Sequence, residues 1–146
     1  MAFFRLILVL PLIIFVLVAV GCNEVDLDEG KIKRIIVSGN EIVDAIDRYK
    51  ISRNNLPSSL EELVSAGFLD SIPDSGIEGR KFRYVRFHPV EDMEYRVSLA
   101  LSTPSIVSNS ITEVTYKSDS KYEGDNVEIH KLVDGWAVQT VYRAGK

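Results

Sequence analysis

The stretch KIKRIIVSGNEIVDAIDRYK, Lys31 to Lys50, sets the first element of the fold. Its apolar side chains fall at Ile32, Ile35, Ile36, Ile42, Val43, Ile46 and Tyr49, and the small Gly39 fills the same stripe between Ile36 and Ile42. Alternating spacings of three and four residues describe one face of an amphipathic α-helix. The opposite face carries Lys33, Arg34, Glu41, Asp44, Asp47, Arg48 and Lys50, with Asp44 four residues before Arg48 in the orientation that supports a helix. Pro57 pushes Leu56 out of the helical region, so Asn54-Asn55-Leu56-Pro57 ends the segment. The pattern predicts a helix of about 20 residues, about 30 Å long. Gly39 and the β-branched residues make it a poor isolated helix, so it needs a sheet to pack on.

Beyond Pro57, Ser58 and Ser59 each have a glutamate three residues on, at Glu61 and Glu62, the capping-box pattern that opens a second, short helix. Leu60, Leu63 and Val64 form its apolar face, and Gly67 suits a left-handed C-terminal cap before Phe68-Leu69 return to the core. Ile72 to Gly79 reads as loop.

From there the period changes to two. Phe82, Tyr84, Val85 and Phe87 mark one strand, and Tyr95, Val97, Leu99 and Leu101 alternate in the next, with Pro89 to Glu94 as the hairpin between them. Ile111 to Tyr116 is a weaker third strand. The strongest hairpin signal is Asp134-Gly135, between Val127-Glu128-Ile129-His130-Lys131-Leu132-Val133 and Trp136-Ala137-Val138-Gln139-Thr140-Val141-Tyr142. The expected fold class is α+β: a long N-terminal amphipathic helix and a short second helix packed on an antiparallel sheet of four or five strands.

Upstream, residues 1–22 read MAFFRLILVLPLIIFVLVAVGC. One charge at Arg5, then an apolar run from Leu6 to Val20, is a signal peptide in outline. The run is shorter than the roughly 20 residues of a membrane-spanning helix and contains Pro11. Its end, Val18-Ala19-Val20-Gly21-Cys22, resembles the bacterial lipobox, with Ala19 where leucine is commoner. That resemblance implies recognition of Ala19, Val20 and Gly21 by the lipoprotein signal peptidase, cleavage after Gly21, and a Cys22 thiol carrying diacylglycerol and palmitate-type acyl chains. It divides the chain into a signal peptide, 1–21, a lipidated N-terminus and short tether, 22–30, and one α+β domain, 31–146. Asn23, where inner-membrane retention usually takes an aspartate, implies the outer membrane, facing the periplasm, in a Gram-negative host. The alternative is an ordinary cysteine after a conventional signal peptide or in an uncleaved anchor.

Composition bounds the rest. The 146 residues hold 17 lysines and arginines against 21 aspartates and glutamates, a formal charge of -4, which gives no footprint for nucleic acid. Without Arg5 the charge is about −5, which disfavours an electrostatic grip on anionic lipid. One cysteine can make neither an internal disulfide nor a multi-cysteine metal site. No nucleophile elbow, Walker loop, dinucleotide fingerprint or zinc-protease motif is present, so the chain is expected to be no enzyme and to need no cofactor. His88 and His130 have no second ligand nearby and read as strand surface. Asp119, Glu123, Asp125 and Asn126 offer hard oxygens for calcium but match no EF-hand spacing, and no metal is expected there. Trp136 reads as a core or sheet-face aromatic, and Arg80, Lys81, Arg83 and Arg86 as a solvated strand edge, with a partner-binding patch as the alternative.

Ala45-Ile46-Asp47-Arg48-Tyr49, Leu56-Pro57-Ser58-Ser59-Leu60-Glu61-Glu62-Leu63, Gly67-Phe68-Leu69 and Ile72-Pro73-Asp74 together resemble the globular part of type IV pilin-like proteins, nearest the major pseudopilin of type II secretion. The resemblance covers about 30 residues closely and the sheet only by pattern. It implies a pilin-like domain in which the Tyr49 ring lies over the second helix and its hydroxyl reaches solvent or a loop carbonyl. The chain departs from a true prepilin in ending its apolar segment with a lipobox, so it is expected not to polymerise as a pilin. Asp74-Ser75-Gly76 also replaces the Asp-Pro-Trp-Gly run frequent in pseudopilins. The expected role is an accessory or assembly factor of a secretion or pilus system, acting through protein contacts with pilin-like subunits. The alternative is a stand-alone envelope binding or inhibitor lipoprotein with the same fold.

Overall fold

The computed structural model describes residues 29–87, 93–102 and 109–143. Signal peptide, lipobox and tether residues up to Asp28 therefore lie outside the described residues, as do His88 and the tip of the expected Pro89–Glu94 hairpin. The order is α1 (Glu29–Arg53), α2 (Leu60–Ser65), β1 (Arg83–Phe87), β2 (Glu94–Ala100), β3 (Ser110–Lys117), β4 (Val127–Val133) and β5 (Trp136–Tyr142). The class is α+β, an antiparallel five-stranded sheet with a helix packed on it.

α1 buries the stripe its periodicity marks: Ile35, Ile36, Gly39, Ile42, Val43, Ala45, Ile46 and Tyr49. Asn54 stops it in the left-handed region, at φ 49°, with its N–H on the Lys50 carbonyl at 2.9 Å. Asparagine tolerates that backbone, so the helix ends before the proline can act. α2 begins at Ser59, whose side chain accepts the Glu62 N–H, and closes in a full Schellman motif. Gly67 takes φ 77°, its N–H meets the Val64 carbonyl at 3.1 Å, and the Phe68 N–H meets the Leu63 carbonyl at 2.8 Å.

The strands run β1-β2-β3-β5-β4 across the sheet. Asp134 and Gly135 both have positive φ, 49° and 80°, the backbone of a type I′ turn, so the final hairpin forms where its sequence demands. It enters the sheet with β5 against β3 and β4 outside. Ser110–Lys117, the strand of weakest pattern, is thereby the middle of the sheet. Its pattern is weak because one of its buried rows is polar: Thr115 hydrogen-bonds the Val97 carbonyl and Glu113 accepts from Gln139 at 2.9 Å.

α1 lies on the opposite face, over Tyr95, Val97, Leu99, Val114, Trp136 and Val138. An aromatic row crosses the sheet there, Tyr84 to Tyr95 to Tyr116 to Trp136, with ring centroids 6.2, 6.0 and 5.5 Å apart. Trp136 is 0% exposed, and its indole N–H donates to the Asn40 side chain at 2.7 Å. Its ring lies against the bare backbone of Gly39, where an added Cβ would come within 2.4 Å of the six-membered ring.

Gly39→Ala should therefore destabilise the domain. The substitution gains up to about 1 kcal/mol of helix propensity, but overpacking a rigid, buried indole costs about 1–3 kcal/mol. Urea denaturation followed by the fluorescence of the single tryptophan should show a lower midpoint, and an equal or higher one would mean that the layers separate freely at this point.

Candidate functional site

Three polar side chains from the last two turns of α1 are drawn out of the solvated face and used as ties. Asp47 accepts the hydroxyl of buried Tyr95 at 2.8 Å. Arg48 donates to the Phe68 carbonyl at 2.8 Å, and Lys50 to the Met93 carbonyl at 3.3 Å. Among the described residues Asp44 and Arg48 form no ion pair, contrary to the helical spacing, because the guanidinium is engaged by the segment after α2. Burial, reinforced by the hydrogen bond to Asp47, pushes the Tyr95 phenol well above its ordinary range.

Tyr49 packs its ring edge-on against Phe68, centroids 5.3 Å apart, as expected of a ring over α2. Its hydroxyl goes elsewhere than expected: it donates to Glu62, not to solvent or a loop carbonyl. Glu62 closes the capping pattern with its other oxygen, which takes the Ser58 N–H at 2.6 Å and the Ser58 hydroxyl. One carboxylate thus ties α1 to the start of α2. The Ser58 hydroxyl and then the Tyr49 phenol hold Glu62 down to about 2, from an ordinary 4.5, while the Tyr49 phenol is raised by the same bond.

Asp47 and Arg48, with Phe68, line a groove of about 910 Å³ between the outward face of α1 and the exit from α2. Its rim carries Glu41, Asp44, Asp47 and Asp70 against Arg48, and Ile51, 85% exposed, sits at its end. A second groove of about 1060 Å³ lies between the start of α2 and residues 72–82, with Glu61, Asp74, Glu78, Arg80 and Lys81 around Leu60, Ile77 and Phe82. Both are open and neither gathers a nucleophile, base and oxyanion donors. The first groove gathers four carboxylates and one guanidinium around an apolar end, a lining that can take basic and apolar side chains.

The remaining residues singled out from the sequence take these places. Trp136 is core. His130 is exposed on β4, where its ring meets the Thr140 hydroxyl at 2.8 Å. Asp119 caps a turn through the Lys121 N–H, and Asn126 donates to the Tyr142 carbonyl at 3.0 Å, pinning β4 to β5. Among the described residues no three metal-ligating side chains come together. Arg83 and Arg86 stand exposed on β1, at one edge of the sheet, with Arg80 and Lys81 just before it. Among the described residues no helix is long and apolar enough to cross a membrane. Cys22 and Ala19, Val20 and Gly21 lie outside the described residues.

The Glu62 node sets a pH dependence. A carboxyl lowered in the folded state stabilises it above its unfolded value and loses that contribution as pH falls through the folded one. Wild-type stability should therefore fall more steeply than that of Glu62→Gln between pH of about 4.5 and about 2, measured by urea denaturation at each pH. Parallel profiles would show that Glu62 carries no such coupling.

No family model, curated protein or solved structure matches the chain.

Proposed function

We propose that this chain is a non-enzymatic envelope lipoprotein, anchored by acyl chains on Cys22, whose pilin-like domain docks pilin-like subunits of a type II secretion or type IV pilus system. The observation that carries the reading is the groove along α1: a concave, acidic surface with an exposed isoleucine at its end, built on residues tied rigidly to the sheet and to α2. Rigid positioning favours recognition, because the docking surface needs little ordering when a partner arrives. The lipobox resemblance supplies the anchor, and the short tether, residues 23–28 before α1, reaches at most about 21 Å when extended and keeps the domain close to the membrane that holds such machinery. The resemblance of residues 45–74 to pseudopilins supplies the partner class, by analogy of sequence pattern.

Charge reversal at Glu41 and Asp44 together with Ile51→Ser leaves every tie to the sheet in place. It should reduce co-purification of pilin-like subunits with the full-length lipoprotein at least about tenfold, which corresponds to about 1.4 kcal/mol. Undiminished recovery, or recovery of an unrelated envelope protein alone, would move the role to a stand-alone binding or inhibitor lipoprotein.

A further inference from the structure

We propose that the free edge of β1 is a docking strand for an acidic, extended segment of a partner protein, a surface separate from the α1 groove. Among the described residues β1 ends the sheet and pairs only with β2, so the outer row of its main-chain groups is open to strand addition. Arg83 lies across from Ser98 and Arg86 across from Tyr95, which places them on opposite faces of the sheet, three residues apart. Both are exposed, and neither meets a carboxylate at ion-pair distance among the described residues, although Arg86 lies within longer electrostatic reach of Glu62. Behind them Arg96, directly across from Val85, stacks over the half-exposed Phe87 ring at 5.8 Å. The Arg96 Nε–H is buried and has no acceptor among the described residues.

Cations on an edge strand also discourage aggregation, but that role needs charge alone. The exposed Phe87 adds nothing to repulsion. It is what an apolar side chain of a bound strand would cover. The register fixes its pattern: acidic residues three apart to meet Arg83 and Arg86, with an apolar residue opposite Val85.

The occupant is a partner and not a second copy. The other open edge of this sheet is β4, which carries Glu128 and Lys131. Overlapping β1 and β4 antiparallel with Glu128 opposite Arg86 sets Lys131 opposite Arg83, and the parallel arrangement with Glu128 opposite Arg83 sets Lys131 opposite Arg86. The irregularity between Ile129 and Lys131 breaks the ladder as well. Nor is it a polyanion surface: a formal charge of -4 opposes the broad field of nucleic acid or anionic lipid, whereas a short strand gains its affinity from main-chain bonds and needs only the local cations.

The test is titration of the full-length lipoprotein in neutral detergent with a blocked peptide of sequence TVEVTET and its lysine counterpart TVKVTKT, read by binding and by amide hydrogen exchange. The acidic peptide should bind at least about tenfold more tightly than the basic one, weaken with salt, and protect amides of residues 83–87. An R83S/R86S double variant should lose that binding about tenfold while exchange in β3 and β5 stays as in the wild type, which shows that the fold survives. Equal binding of the two peptides, no binding, or protection elsewhere would overturn the proposal. So would concentration-dependent protection of β1 without peptide, which would assign the edge to a second copy, or adsorption to phosphatidylglycerol vesicles without peptide binding, which would assign it to lipid.

Discussion

One glycine and one tryptophan set the distance between the two layers of this domain. Trp136, at the start of β5, presents its indole to the only position of the α1 stripe that has no side chain, and the neighbouring Asn40 takes its N–H. A close approach of this kind fixes the helix in rotation and in translation at once, because a shift by one residue would set Asn40 or Ser38 against the ring. The isoleucines on either side supply burial but would tolerate sliding; the Gly39 notch would not. With α1 held there, its last two turns come over β2, where Asp47 reaches the Tyr95 hydroxyl, and the outward face between Glu41 and Ile51 is left as a surface of fixed shape.

The second element of rigidity is a single carboxylate. Glu62 gives its N–H to the Ser59 cap, takes the Ser58 N–H and hydroxyl just before it, and also accepts the Tyr49 hydroxyl, so the capping of a six-residue helix is coupled to the position of a helix 25 residues long. A helix of six residues would not persist alone. Capped at Ser59, closed by Gly67 and stapled through Glu62, it becomes a wall of the second groove and sets the exit that borders the first. Groove and fold therefore rest on the same few contacts, and the polar residues of α1 serve as ties as well as solvation.

What the sequence disclosed is what local physics determines. The stripe from Ile32 to Tyr49, the serine caps of α2, the left-handed Gly67 and the Asp134-Gly135 turn each depend on neighbours in the chain, and each forms where its residues require. The order of strands was not legible in that way, because pairing β3 with β5 depends on a non-local choice that leaves β4 outside. Ser110–Lys117 read as weak because its Glu113 and Thr115 are buried polar groups, satisfied by Gln139 and a Val97 carbonyl that periodicity does not reveal. The ties of the candidate site were hidden for the same reason: Tyr95 to Asp47, Arg48 to Phe68 and Tyr49 to Glu62 span 48, 20 and 13 residues. Only the last left a signal, since a capping glutamate has a second oxygen to offer.

In the proposed reading this domain is carried at a membrane by a lipidated Cys22 and acts there through protein contacts. In-cell crosslinking of the full-length chain, followed by mass spectrometry of the recovered N-terminus and of its crosslinked partners, tests both halves together. The account predicts a chain that begins at an acylated Cys22, with crosslinks from α1 to subunits of a secretion or pilus system. A chain that retains residues 1–21, or an unmodified Cys22 with no envelope partner, would contradict it.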